Sequence, residues 1–405
     1  MKNRKVPKLR FKEFTDEWEE KRLGEIILLQ RGSSPRPIVK YLTASIEGVN
    51  WIKIGDTNKE NKYIISTTEK ITKEGAKKSR EVKKGEIILS NSMSYGRPFI
   101  LKIDGYIHDG WFVIRKYEKN FLKEFLCQLL TSPLIQKQYK KLAAGGVVEN
   151  ISSELVNSVI VGVTTLQEQQ KIADFLSCVD TKISLTEEKL ENLKIYKKGI
   201  MQKIFSQEIR FKDKNGNDYP EWEETKLGDL VEEYIEKTII NNQYQVLSST
   251  ATGIYLQEEY FKKQTASENN IGYRIIPKNY FTYRSMSDTG NFTFNIQKII
   301  EKGIVSPAYP VFKNKQEVIL KEYLYFTLNN SKKIIEQILV LKEGGTRYAL
   351  SFSKFLKLKL DVPILEEQQK IADFLSSIDD KIEKTENKLN ELKKFKKGLL
   401  QKMFV

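Results

Sequence analysis

The sequence predicts an α+β protein: two mixed α/β domains separated by two long α-helices, the helices pairing as an antiparallel coiled coil about a pseudo-two-fold axis. Three observations carry this expectation. One segment recurs at a fixed offset, each copy holds a heptad seam, and the regions between are rich in short β-type runs.

The recurrence runs from Leu166-x-Glu168-Gln169-Gln170-Lys171-Ile172-Ala173-Asp174-Phe175-Leu176-Ser177 to Leu365-x-Glu367-Gln368-Gln369-Lys370-Ile371-Ala372-Asp373-Phe374-Leu375-Ser376, an offset of 199. The match continues to Phe205 and Phe404, with about two residues in three identical. Gly145-Gly146 and Gly344-Gly345 keep the same offset and read as backbone turns. A weaker echo opens each half: Leu9-Arg10-Phe11-Lys12, Trp18-Glu19 and Leu23-Gly24 against Ile209-Arg210-Phe211-Lys212, Trp222-Glu223 and Leu227-Gly228. Such a period is too long for a solenoid and marks a duplicated domain-plus-helix unit.

Within the first copy Ile172, Leu176, Val179, Ile183, Thr186, Leu190, Leu193, Lys197, Ile200 and Ile204 fall at alternating steps of four and three. Ile371, Leu375, Ile378, Ile382, Thr385, Leu389, Leu392, Lys396, Leu399 and Met403 repeat the pattern. Charged residues fill the other positions and no proline interrupts, so each run predicts a helix of roughly 55–60 Å. An apolar stripe of that length needs a partner in water. The other copy is the economical one, and a duplicated unit closing on itself opposes the two helices; the alternative is a core helix inside one domain. Lys197-Lys198 and Lys396-Lys397 read as a solvated helix face.

Gly85–Ser90, Trp111–Ile114 and Tyr280–Tyr283 are short β-branched or aromatic runs bounded by turn formers, and predict strands. Phe121–Leu142 and Lys321–Leu341 predict helices. The expected divisions are residues 1–163, 164–206, 207–362 and 363–405: domain, helix, domain, helix. The two domains share their ends but little sequence between them.

Composition narrows the function. The chain carries a net charge of +15. Residues 1–163 hold 30 Lys/Arg against 19 Asp/Glu, and residues 237–360 hold 18 against 9. Two basic blocks suggest a polyanionic partner. Cys127 and Cys178 are too few for a disulfide framework or a thiolate zinc site, so no metal is expected. No apolar run is long enough to cross a bilayer, and Met1-Lys2-Asn3-Arg4-Lys5 leads into Pro7 rather than a signal-peptide core; a cytoplasmic protein without membrane contact is expected. A phosphate loop, a glycine-rich cofactor loop and an Asn/Asp-Pro-Pro-aromatic segment are all missing, so no catalytic centre is expected. His108 has no second histidine to work with and reads as structural or DNA-facing.

The Leu-x-Glu-Gln-Gln-Lys-Ile-Ala-x-Phe-Leu segment opening a long helix, present twice and each time after a basic variable domain, resembles the specificity subunits of type I restriction–modification systems. The resemblance covers the whole chain. It implies that residues 1–163 and 207–362 are target-recognition domains, each reading half of a bipartite, asymmetric double-stranded DNA sequence, and that residues 164–206 and 363–405 are conserved spacer helices. It also implies two methyltransferase subunits docked on the helices and motor-nuclease subunits joining them. S-adenosylmethionine, ATP and Mg²⁺ would then sit on those partners, with no cofactor on this chain. One departure is visible: Pro363 precedes the second helix motif, where the first copy has Thr164. A stand-alone coiled-coil DNA-binding regulator or scaffold, and a self-sufficient nuclease, are the other readings.

Phosphates should be met by Lys and Arg in loops, and base edges by Arg, Asn, Gln and Ser. In the first domain these criteria select Arg31, Ser33, Ser34 and Arg36, whose loop includes Gly32 for close backbone approach. They also select Lys77, Lys78 and Arg80 as a phosphate patch, and Asn91, Ser92, Ser94, Tyr95 and Arg97 after an expected strand. In the second domain they select Tyr283, Arg284, Ser285 and Asn291, together with Thr346, Arg347 and Tyr348. For each, the competing reading is a solvated turn.

Overall fold

The computed structural model describes residues 6–57, 62–91, 96–143, 150–260, 269–340 and 348–405, with the backbone alone at 142–143. The chain forms two compact units, Met1–Glu188 with Asn387–Val405, and Lys189–Glu386.

Each unit is built on the same frame. In the first, strand Glu19–Arg22 pairs antiparallel with Ile160–Val163 and leads into the short helix Leu23–Ile26. In the second, Glu223–Lys226 pairs with Lys359–Val362 and leads into Leu227–Leu230. The helical run expected over 121–142 is two helices, Lys123–Thr131 and Pro133–Ala143. Ser132 between them is extended, because a following proline disfavours the helical backbone. The run expected over 321–341 is likewise Lys321–Asn330 and Lys332–Val340, broken at the extended Ser331. Ser331 lies 199 residues after Ser132, so the duplicated frame persists in the backbone where the sequence no longer shows it.

What the frame carries differs. The first unit holds a five-stranded sheet ordered Leu28–Arg31, Trp111–Arg115, Ile87–Ser90, Pro98–Leu101, Tyr63–Ile64, and a second of Leu42–Thr43, Glu69–Ile71, Val49–Ile52, Gly105–Ile107, Arg80–Val82. Alternation along the former's central strands feeds two cores. Ile87, Leu89, Phe112 and Ile114 face the frame helices, while Ile88, Trp111, Val113 and Phe99 face the other side. Burial on both faces explains why these strands read as continuous apolar runs. The second unit holds a four-stranded sheet of Val231–Glu233, Val311–Asn314, Phe281–Thr282 and Asn295–Ile296, plus three separate strand pairs. Its core is aromatic, with Phe281, Tyr283, Phe294, Phe312 and Phe355 in mutual contact.

The two long helices span Leu166–Phe205 and Leu365–Lys402. Every seam position is buried or half-buried in its own unit. In the first unit Ile172, Leu176 and Val179 share a core with Leu399 and Met403, and Ile183, Leu389 and Leu392 continue the seam. In the second, Ile204 shares a core with Ile371, Leu375, Ile378 and Ile382, and Leu190 and Leu193 continue it. The ion pairs give the direction. Asp180 and Glu187 meet Lys396 and Lys393 in the first unit; Lys194 and Lys197 meet Glu386 and Asp379 in the second. Numbers rise on one helix as they fall on the other, so the pairing is antiparallel. The start of each helix also joins the core of its own domain, so the two alternatives for its partner both hold.

The repeated Glu-Gln pair fixes each helix to its frame. Glu168 is fully buried and accepts from Arg10 Nε at 2.7 Å, Arg10 Nη2 at 2.8 Å and Trp18 Nε1 at 3.2 Å. Glu367 accepts from Arg210 Nη2 and Trp222 Nε1, both at 3.0 Å. Gln169 donates to the Asn120 carbonyl and accepts from Leu122 N–H, as Gln368 does with Val318 and Leu320. The same amides donate to the carbonyls of Thr164 and Pro363, so the proline leaves the turn into the helix unchanged.

Candidate nucleic-acid interface

In the first unit, segments far apart in sequence meet at the turn His108–Gly110. Strand Leu28–Arg31 ends beside Trp111–Arg115, which brings the following loop against that turn. Gly32 N–H donates to the Trp111 carbonyl at 2.8 Å, and a Cβ on Gly32 would collide with the His108 carbonyl. Close approach therefore requires glycine here.

Asp109 is the centre of the cluster. Its Oδ1 accepts from Ser34 Oγ at 2.7 Å and its Oδ2 from Arg36 Nη2 at 3.1 Å. Its carbonyl accepts from Arg31 Nε at 3.1 Å and Asn91 Nδ2 at 2.8 Å. Burial works to raise the Asp109 carboxyl, but the Ser34 hydrogen bond, a backbone N–H and nearby positive charge prevail and lower it. The basic segment joins the same patch: Arg80 Nε donates to the Arg31 carbonyl at 3.2 Å, and Ser33 Oγ to the Lys78 carbonyl at 3.1 Å. Lys77 and Lys78 are exposed, and Lys78 Nζ donates to the Tyr41 hydroxyl at 2.5 Å. Asn91 requires correction as a reader: it is buried with its amide committed to the turn, and builds the loop instead. Arg97 is half-buried over the Phe99 ring at 4.9 Å, and burial lowers its pKa. Ser92, Ser94 and Tyr95 lie outside the described residues.

His108 is half-buried, and its Nδ1 accepts from Gly110 N–H at 2.8 Å. Burial lowers its pKa against the pull of Asp109, which favours a neutral ring shaping the turn.

In the second unit, Arg284 and Asn291 line one open cleft of about 250 Å³ with Ser249, Thr250, Met286 and Asp288. Met286 and Ser287 line one side of it, and their strand pairs antiparallel with Tyr348–Ala349. Ser285 is held between Ala308 and Leu350 by backbone hydrogen bonds. Among the described residues Arg284 has no hydrogen-bond or ion-pair partner, and its side chain is exposed. Tyr283 is the second correction. It is fully buried among Phe292, Phe294 and Phe355, its hydroxyl donates to the Leu350 carbonyl at 3.1 Å, and it supports the cleft from beneath. Thr346, Arg347 and the paired glycines at 145–146 and 344–345 lie outside the described residues.

Sequence reasoning missed Asp109, Ser249 and Thr250. The His108-Asp109-Gly110 turn was the one available signal for the first; nothing local marks the other two. Among the described residues no His/Cys/Asp/Glu group could hold a metal, and no helix is long and apolar enough to cross a membrane.

The profile of the family described as "Type I restriction modification DNA specificity domain" matches residues 15–194 and 219–394. The type I restriction enzyme MjaVIII specificity subunit of Methanocaldococcus jannaschii is 24% identical, over 95% of this chain and 91% of that protein. The HindI specificity subunit of Haemophilus influenzae is 24% identical over 46% of this chain and 41% of its own length. Among solved structures, the type I restriction–modification S subunit from M. genitalium shares the fold with a TM-score of 0.57 at 16% identity, covering 99% of both chains.

Proposed function

Since the chain belongs to the type I restriction–modification DNA specificity family, we propose that it reads a bipartite, asymmetric DNA target through its two recognition domains and thereby directs adenine methylation and ATP-dependent cleavage by partner subunits. It is the non-catalytic specificity subunit of such a system. The observation that carries the finer reading is the pairing of one repeated frame with two unlike basic insertions. Equal frames suit two copies of one methyltransferase subunit, whereas unlike insertions suit two different half-sites. The helix pair would set the unread gap. S-adenosylmethionine, ATP and Mg²⁺ are assigned to the partners, and the assembly acts in the cytoplasm.

Co-purification with the cognate methyltransferase, followed by mapping of methylated adenines across the host genome, tests this. A stable complex and a single two-part motif with a constant gap are expected. A chain that purifies without a methyltransferase and leaves methylation unchanged when deleted would support a stand-alone regulator. Cleavage by the purified chain with Mg²⁺ alone would revive a nuclease.

A further inference from the structure

We infer that Asp109 is a positioning residue that holds Arg36 as a guanine-reading fork in the first recognition domain. This rests on the DNA-reading function proposed above. Arg36 stands out from the surface with its side chain 81% exposed, yet it is not free. Asp109 Oδ2 takes one Nη2 hydrogen at 3.1 Å, while Ser34 occupies Oδ1 and fixes the carboxylate plane. The Asp109 backbone is held in turn by Asn91, itself buried, so the turn that carries the partly exposed carboxylate is anchored to the core. An exposed arginine otherwise loses rotamer freedom when it binds; one tethered at a single nitrogen keeps its remaining donors available with part of that cost already met. The guanidinium edge left unbound can donate two parallel hydrogen bonds, which matches the two acceptors, O6 and N7, that guanine alone presents in the major groove.

The surroundings distinguish a reading site from a surface ion pair. Arg31 is bound to the Asp109 carbonyl, Arg80 to the Arg31 carbonyl, and Lys77 and Lys78 are exposed on the adjoining segment. One carboxylate within that much positive charge would weaken a site built only for phosphates. It suits one that must orient a particular arginine.

The test uses the full chain assembled with its methyltransferase subunits. Binding and methylation are measured on the wild-type target and on every single-base variant of both half-sites, at several salt concentrations. R36A and D109N are both expected to reduce discrimination at one G·C pair of the half-site read by the first domain, by about five- to a hundredfold for R36A. Every other position, and the whole second half-site, should read as before; that half-site is the internal control for folding. R36K is not expected to rescue, because an ammonium lacks the two-pronged edge. Arg36 is exposed, so R36A keeps the test decisive even if D109N disturbs the loop. A uniform loss on all sequences, with the salt slope falling by about one, would make Arg36 a phosphate contact and overturn the inference alone. Unchanged discrimination in R36A would do the same. A wild-type complex with no sequence preference would overturn the proposed function as well.

Discussion

Lys197 on the first long helix meets Asp379 on the second at 2.5 Å, and their counterparts under the 199-residue offset, Lys396 and Asp180, also meet at 2.5 Å. Lys194 with Glu386 and Lys393 with Glu187 form a second exchanged set, both at 2.6 Å. Reciprocal exchange of this kind defines an isologous interface. Here two halves of one chain supply it. The 199-residue offset of the sequence is therefore also a symmetry of contacts.

These ion pairs specify register more than they stabilise. Lys197 and Asp379 are 20% and 41% exposed, and solvent screening limits such a pair to below about 1 kcal/mol. Lys197→Ala should therefore cost little in a denaturant titration. Leu375→Ala, at a fully buried seam position, should cost about 2–5 kcal/mol. Similar losses for the two variants would contradict a seam held by apolar packing. Crosslinks formed only in parallel register would contradict its direction.

The buried Arg10–Glu168 pair belongs to a different class. Arg10 and Glu168 are 9% and 1% exposed, and the Glu168 hydrogen bond raises the Arg10 pKa. Glu168→Ala would strand a buried guanidinium and the Trp18 indole N–H, at a cost of about 3–5 kcal/mol. Glu367→Ala should cost less in the second unit, because Arg210 keeps the Tyr219 and Pro220 carbonyls as acceptors while the Trp222 indole loses its own. Circular dichroism melts of both variants check this, and a loss below about 1 kcal/mol in either would show the lock to be redundant there.

Acid should loosen the second frame at one identifiable place. Hydrogen bonds from Lys359 and Lys333 lower the Glu224 carboxyl to about 2, from an ordinary value of 4.5. Because the folded value is the lower one, this contribution is fully present above pH 4.5 and is lost as pH falls towards 2. Glu224→Gln should flatten the pH dependence of stability across that window. An unchanged acid limb would place the titrating group elsewhere.

The two halves of the Tyr283–Arg284 dipeptide should separate by phenotype. Tyr283→Phe removes a buried hydroxyl from the Leu350 carbonyl and should cost about 1–3 kcal/mol of stability while leaving DNA discrimination intact. Arg284→Ala, on the exposed cleft wall, should leave the melting temperature in place and, under the proposed function, weaken only the half-site assigned to the second domain. Electrophoretic mobility shifts with variant duplexes, alongside thermal melts, distinguish them. A binding defect in Tyr283→Phe with normal stability would reverse these roles.

Much of this was legible in the sequence because it was local or repeated. The helices announced themselves through the seam at Leu176 and Leu375, and the central strands through apolar runs such as Ile87–Leu89. The Glu168 lock was not legible, although each partner was visible, because Arg10 lies 158 residues away and nothing in a linear pattern pairs them. Tyr283 misled for a related reason. Its polar neighbours Arg284 and Ser285 suggested a contact with DNA, but an aromatic side chain at the end of strand Phe281–Thr282 packs inward with Phe294 and Phe355. The first-domain patch was found piecewise, as Arg31 to Arg36 and Lys77 to Arg80. Its centre, Asp109, was not legible, since contacts to phosphates and base edges call for basic and neutral polar groups and the organising group is an acid.

The division of labour between the domains is tested most directly by exchanging residues 1–163 for the first domain of another family member and mapping methylated adenines in cells carrying the hybrid. The expected result is a motif with one half replaced, the other half retained and the gap unchanged. A motif altered in both halves would contradict two independent readers on a common frame.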